Sequence, residues 1–564
     1  MRKTLLSLLT CCLLALPVLS QQRQAAPKPA GPRFADVTAA SGIKFTHNTG
    51  AFGKKWLPET MGPGVVLFDA NGDDRLDVLF LNGRNFPGRP GKATTQELYT
   101  NQGGLKFANA TAKSGLGIAA YCLGGAAGDL DNDGDADLYL SCVGTDYLLR
   151  NDSSRGAVKF TDVSTAAGLS RDYEFGASVA FLDADRDGRL DVLATRYVTW
   201  TPETDLFCTL DGKSKSYCTP ESYPGASPRF YRNKGEWKFE DATKKAGISK
   251  PSAKSLGIAV LDLEGDGWLD LAVANDTQPN LLYRNRGPNS SGQVTFEEVG
   301  VSSGMAFSET GVARGGMGID AADYDRSGRH SLVIGNFANE MVALYRNEGN
   351  QLFVDVAPAS QIGRRTLLTL AFSAFFFDYD LDGWLDILLG NGHLDPEVEN
   401  VQTKVKFRQP TQLFRNAGGG RYEEVTATAG GDLAKPRVAR GAAYGDLDGD
   451  GDLDLVLTNN GGPAQVFANA GGGQGRWLKI GLEGSKSNRD GLGTVVEVTA
   501  GGATQRWLVR TGSSYLSQSQ VEPVFGLGRA ARADRVVVRW PSGKVQQRAN
   551  VPANQRLVFR EAGT

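Results

Sequence analysis

Residues 128–140 read GDLDNDGDADLYL and place aspartate at 129, 131, 133, 135 and 137. Five carboxylates at every second position repel one another unless a cation gathers them. The stretch then runs into an apolar, β-type segment, so it reads as a tight acidic turn feeding a strand. Its spacing is D-x-[DN]-x-[DN]-G-x-x-D, and variants of it occur seven times, with starts 54 to 79 residues apart.

The loops can be compared position by position, at 1, 3, 5, 7 and 9. The first offers Asp69, Asn71, Asp73, Arg75 and Asp77, and the second Asp129, Asp131, Asp133, Asp135 and Asp137. The third has Asp183, Asp185, Asp187, Arg189 and Asp191, and the fourth Asp262, Glu264, Asp266, Trp268 and Asp270. The sixth has Asp378, Asp380, Asp382, Trp384 and Asp386, and the seventh Asp446, Asp448, Asp450, Asp452 and Asp454. In the fifth, Asp323 and Asp325 are followed by Ser327, Arg329 and Ser331, so only two carboxylates remain. Position 6 is glycine in every loop but the first, where Asp74 stands.

Hard oxygen donors at this spacing suit calcium, which takes 6 to 8 oxygens in flexible geometry. Side chains at 1, 3, 5 and 9 and the main-chain carbonyl at 7 are the expected ligands; no side-chain type prevails at 7. Zinc or copper would want His or Cys, and the chain has only three histidines. An EF-hand would need Glu at position 12 and flanking helices. Here position 12 is Phe80, Leu140, Ala194, Val273, Ile334, Leu389 or Leu457, always apolar. Six calcium sites are expected, with the fifth loop binding poorly or not at all. At extracellular calcium of about 1 mM and Kd of about 0.1–1 mM, each site adds about 0.4–1.4 kcal/mol. Calcium is therefore read chiefly as a structural staple.

Two further signatures travel with each loop. Upstream stands an aromatic-acidic-small turn (RFADVTAASG, KFANATAKSG, KFTDVSTAAG), and downstream an aromatic-x-Asn or Leu-Arg-Asn element (LYTNQG, FYRNKG, LYRNRG). With 71 glycines and no helical period, seven such units predict an all-β fold, a seven-bladed propeller that closes on itself and leaves few exposed edges. The third unit carries an insertion with Cys208 and Cys218, and the sixth a polar stretch over residues 397–408.

Arg2 and Lys3 precede an apolar run and then Ser20, which reads as a secretory signal peptide over 1–20, followed by a linker over 21–32. No other segment is apolar enough to span a membrane. Removing the signal takes Cys11 and Cys12 and leaves four cysteines, an even number suited to an oxidising compartment. Of three connectivities, the two local bridges Cys122–Cys142 and Cys208–Cys218 are preferred. The propeller is expected over 33–470, a Gly-rich linker over 471–475 and a small β domain over 476–564.

Formal net charge is -2, giving no reason to expect nucleic acid. The acidic loops hold close to half of the 63 acidic residues, so filling them with calcium leaves a net cationic protein. An extracellular protein or an anionic polysaccharide is the expected partner, in a secreted or periplasmic setting.

The loops resemble those of FG-GAP/VCBS-type (integrin α-like) propeller repeats of the cartilage acidic protein family. The elements SNRDGLG, SQ followed by FGLG, and WPSG are similar to the ASPIC/UnbV domain that ends its members. The resemblance implies a secreted calcium-binding propeller with a small β module, without a characterised activity. A non-enzymatic adhesion or recognition scaffold is the leading reading. The alternative is a calcium-dependent polysaccharide lyase or a quinone-dependent dehydrogenase, since propellers host both. No G-x-S-x-G, H-E-x-x-H or phosphate loop is present, and no catalytic residue is assigned. Of His47, His330 and His393, the last, in NGHLDP, is the candidate for a functional role, and a loop hydrogen bond is the role expected of it. Trp540, Pro541, Ser542 and Gly543 read as a turn between two strands.

Overall fold

Each acidic loop joins two antiparallel strands, and its ninth residue closes their register. Phe68 pairs Asp77, Gly128 pairs Asp137, Leu182 pairs Asp191, and the other four loops follow suit. A third strand ends in the Asn of the downstream signature, as in Glu97–Asn101 and Arg229–Asn233. A fourth is formed by the aromatic residues of the next upstream signature, as in Phe107–Asn109 and Phe239–Asp241. The sequence repeat and the four-stranded unit are thus out of phase by one strand.

That shift explains closure. The first upstream signature has no unit before it, so Phe34–Asp36 pairs with Gln465–Asn469 and completes the last sheet. The computed structural model describes residues 34–562, apart from 155, 210–211, 430 and 471–474. The expected signal peptide, the linker after it and most of the Gly-rich linker lie outside the described residues.

The described chain is nearly all β, with helices no longer than six residues. The innermost strands run Val65–Phe68, Tyr121–Gly128, Glu174–Leu182, Ser255–Leu261, Ile319–Ala322, Ala371–Phe377 and Ala439–Gly445. Each neighbours the next, and the last neighbours the first, which makes the ring of a propeller. Two neighbouring units are joined into one eight-stranded sheet by the pairs Glu174–Gly144 and Phe175–Val143. Apolar clusters fill the spaces between successive sheets. Val66, Leu79, Leu138 and Leu140, all fully buried, form one of them. Both expected disulfides, Cys122–Cys142 and Cys208–Cys218, are formed.

Beyond the ring lie a three-stranded sheet around Arg476–Glu483 and a four-stranded one containing Val495–Ala500 and Arg532–Arg539. Between them the chain over 509–523 runs through the centre of the ring. Thr511 bonds Phe181 (2.8 and 3.0 Å), Ser514 O accepts from Ile319 N–H (3.1 Å), and Ser517 Oγ accepts from Val65 N–H (3.1 Å). Gln518 exchanges both its amide groups with Ala127 (3.0 and 3.1 Å), and Gln520 Oε1 accepts from Asp446 N–H (2.9 Å). Tyr515 packs on Phe372. The polar residues of this segment supply the hydrogen bonds that the inner strand edges would otherwise lack. Gly64 is required where it passes, since a Cβ there would lie 1.8 Å from Leu516 O.

Candidate metal centres

The acidic loops owe their curl to their first and last carboxylates. Asp69 accepts N–H groups from Asn71, Gly72, Asp73 and Asp74 at 2.7 to 3.2 Å. Asp129, Asp183, Asp262 and Asp378 hold positions 5 and 6 of their loops in the same way. At the other end, Asp77, Asp137, Asp191, Asp270, Asp386 and Asp454 each accept the N–H of position 2. Position 6 is left-handed throughout, and Asp74 adopts φ +65° where its sisters are glycine. Position 4 is left-handed as well, with Asn132, Arg186, Arg326 and Leu381 between +56° and +63°. No sequence signal had marked that position.

With the backbone so bent, oxygen atoms converge. Ligand atoms of Asp129, Asp131 and Asp137 lie within 4.8 Å of one another, as do those of Asp183, Asp185 and Asp187. The same holds for Asp378, Asp380 and Asp386, and for Asp446, Asp448 and Asp450. Buried oxygens without any partner point the same way: Asn71 Oδ1, Asp135 Oδ1, Asp185 Oδ1, Asp380 Oδ1 and Asp452 Oδ1. Unsatisfied buried oxygens are costly, and a cation among the carboxylates would satisfy those of Asn71, Asp185 and Asp380, which all stand at position 3 of their loops. The residues present therefore fit a metal ion.

The first loop contributes Asn71 in place of a carboxylate. In the fourth, Glu264 turns away to a two-pronged pair with Arg284 (2.6 and 2.7 Å) and to Gln351 (2.7 Å). In the fifth, Asp323 Oδ1 and Ser327 Oγ are buried without partners. Burial, with like charge beside it, raises the carboxyl groups far above their ordinary 3.8: Asp183 to about 7, Asp129 and Asp270 to about 8, Asp137 and Asp452 to about 9. Asp378, Asp386 and Asp454 move in the same direction.

The downstream Asn, marked in the sequence by recurrence alone, has a definite task in the fold. Its N–H donates to the ninth residue of its own loop, as Asn285 does to Asp270 (2.7 Å) and Asn416 to Asp386 (2.7 Å). Its side-chain amide then reaches the previous loop: Asn285 to Ala184 O (2.9 Å), Asn416 to Tyr324 O (3.0 Å), Asn469 to Tyr379 O (2.8 Å). Asn101 reaches Leu447 O (2.8 Å) and so links the first unit to the last. Position 7, expected to offer only its carbonyl, also uses its side chain. Arg75, Arg189 and Arg329 donate to the carbonyls of Asn101, Asn233 and Asn347, while Trp268 and Trp384 lie under Arg186 and Arg326.

The three histidines are buried, and each meets a main-chain group. His47 Nδ1 accepts from Gly461 N–H, His393 Nδ1 accepts from Asp395 N–H, and His330 Nδ1 lies 3.1 Å from Asp262 O. Burial lowers His393 to about 4. The WPSG stretch is the expected turn, with Gly543 N–H on Trp540 O (2.9 Å), between Arg532–Arg539 and Val545–Pro552.

Two family models match: the FG-GAP-like repeat over residues 69–140 and 262–334, and ASPIC and UnbV over 484–564. Cartilage acidic protein 1 of Mus musculus and of Homo sapiens are each 25% identical to this chain, over 76% of it. The chain is similar to the cartilage acidic proteins. It spans 62% and 61% of the length of those two relatives. A solved Agrocybe aegerita lectin, described as recognising non-reducing terminal N-acetylglucosamine, aligns with TM-score 0.39 at 18% identity, covering 71% of this chain and 86% of that one.

The ASPIC and UnbV segment lies against the acidic loops. Asp490 Oδ2 accepts from Asp129 N–H (2.7 Å) and Arg489 N–H donates to Asn132 Oδ1 (2.8 Å). Just before that segment, Lys479 Nζ sits 3.3 Å from Asp446 Oδ2 of the seventh loop. Arg506 donates to Gly328 O (2.7 Å). Among the described residues no helix is long and apolar enough to cross a membrane.

Proposed function

We propose that this protein is a secreted calcium-binding propeller that serves as a non-enzymatic recognition or adhesion scaffold, with calcium holding the fold together. The orphaned buried oxygens of Asn71, Asp185 and Asp380, each at position 3 of its loop, carry this reading. Side chains at positions 1, 3, 5 and 9 of six loops, with the carbonyl at 7, are the proposed ligands, except that in the fourth loop Glu264 is engaged by Arg284 and Gln351 and must leave them to reach the ion; the fifth loop, with two carboxylates, is the weak one. Calcium would supply two positive charges to each group of buried carboxylates and so offset the burial, and the repulsion beside it, that raise their pKa values.

The division proposed is a signal peptide over 1–20, a propeller over 33–470 and a β module over 476–564. The two disulfides and the similarity to cartilage acidic protein 1 support export to an oxidising compartment. The partner proposed is an extracellular protein or an anionic polysaccharide, since calcium loading turns the net charge positive. Bound-calcium stoichiometry on the purified mature chain, with thermal unfolding before and after chelation, tests the reading. About six ions and a large fall in melting temperature are expected; few ions and an unchanged melt would sink it.

A further inference from the structure

Two stretches that the metal loops do not use, GSKSN over 484–488 and WPSG over 540–543, meet around one buried carboxylate. Glu561 is 3% exposed and follows the strand Gln555–Arg560. Its Oε2 accepts three successive main-chain N–H groups, from Ser485 (2.7 Å), Lys486 (2.7 Å) and Ser487 (2.9 Å), with Ser485 Oγ at 3.5 Å. Its Oε1 accepts from Ser487 Oγ (3.0 Å) and from the Ser542 hydroxyl. Lys544 Nζ donates to the Glu561 main-chain carbonyl, and Glu561 N–H donates to Glu483 O (2.9 Å).

Successive N–H groups converging on one oxygen form an anion-binding concavity. Its shape does not depend on Glu561. Gly484 N–H closes the turn on Arg489 O (2.9 Å), and the Asn488 side chain exchanges two 2.8 Å bonds with Leu492. On its far side the turn is fixed to the second acidic loop through Arg489 and Asp490. The donors are therefore held in place before any acceptor arrives, and leaving them empty would bury several unsatisfied N–H groups. Burial alone would push the Glu561 carboxyl up; the donors outweigh it and hold the group at about 2.

We propose that the turn over Ser485, Lys486 and Ser487, completed by the Ser542 hydroxyl, is a receptor for a carboxylate, and that Glu561 is its resident ligand within the same chain. The last strand is then tied to the acidic-loop face by a polar latch that another carboxylate can replace. The site needs no metal, so it stands or falls apart from the calcium reading.

The test uses the full mature chain and Glu561→Ala, followed by calorimetry in acetate and in chloride at equal ionic strength. The variant is expected to melt below the parent in chloride and to regain part of the loss, saturably, in acetate; the parent melts alike in both salts. Equal melting of variant and parent, or an acetate effect of the same size on both, overturns the proposal. Should Glu561→Ala not fold, Glu561→Gln carries the test. Its amide oxygen fills the site without charge, so it melts lower than the parent and is indifferent to acetate. An undiminished melt, or an acetate response, counts against the site.

Discussion

Asp74 stands where six sister loops have glycine, and it pays for the position with a left-handed backbone at φ +65°. Aspartate tolerates that region better than most residues, yet glycine enters it freely. The Asp74 side chain is largely exposed, and its one ion pair, with Arg556, is long at 3.6 Å. Asp74→Gly is therefore expected to stabilise the chain by about 0.5–1 kcal/mol, read as a higher urea midpoint at unchanged slope. Glu561 gives a second residue-scale expectation. Its folded pKa of about 2 lies below the ordinary 4.5, so its contribution is complete above pH 4.5 and is lost as pH falls toward 2. The stability gap between the parent and Glu561→Gln should be constant from pH 5 to 6 and close between pH 4.5 and 2; a gap that persists at pH 2 would refute the latch.

Among the elements, the downstream Asn strand does more than edge a sheet. Asn285 bonds its own loop through Leu269 O (3.2 Å), the previous loop through Ala184 O (2.9 Å) and Gly287 N–H through its Oδ1 (2.8 Å). Three buried side-chain hydrogen bonds are worth about 1 kcal/mol each, more where a partner is left bare. Asn285→Ala should cost about 2–4 kcal/mol in denaturant unfolding. Asn347, in the fifth unit, bonds His330 O and Gly349 N–H, while the His330 ring meets the carbonyl of the fourth loop. Asn347→Ala should therefore cost about 1 kcal/mol less; equal losses would deny the inter-unit staple. The recurrence of this element was legible, because Asn returns at one place in every unit. Its task was not, since Ala184 and Asn285 are a hundred residues apart and nothing local marks the carbonyl as an acceptor. The loop spacing was legible for the same reason of recurrence; the upstream aromatic signature recurred as plainly, but it read as a turn and its first three residues form the outer strand, as in Phe107–Asn109. Position 4 stayed hidden because Gly, Asn, Arg and Leu share its left-handed turn. The path of residues 509–523 stayed hidden because Ser, Gln and Thr there read as an ordinary polar connection until the ring edges they satisfy are seen.

At the scale of the whole molecule, the acidic loops link metal, protons and the seating of the second module. Without metal, Asp129, Asp137, Asp183, Asp270 and Asp452 keep protons up to pH 7 to 9 in the fold, while the unfolded chain releases them near 3.8. Between those limits the folded state binds more protons, so the stability of the metal-free protein falls as pH rises. On the calcium reading proposed above, the ion would take the place of those protons, so its stabilisation should grow over the same window. Dialysed metal-free protein should melt progressively lower from pH 5 to pH 8, and the rise in melting temperature on adding calcium should be larger at pH 8 than at pH 5. A calcium effect independent of pH would mean that the buried carboxylates are not the ligands. The loops that lose their ion also carry Asp129 against Asp490 and Asp446 against Lys479. Uncompensated charge there acts directly on the module whose residues 509–523 fill the ring, so metal removal should raise hydrogen exchange in that segment together with the loops. Exchange confined to the loops would show that ring and module respond to the metal separately.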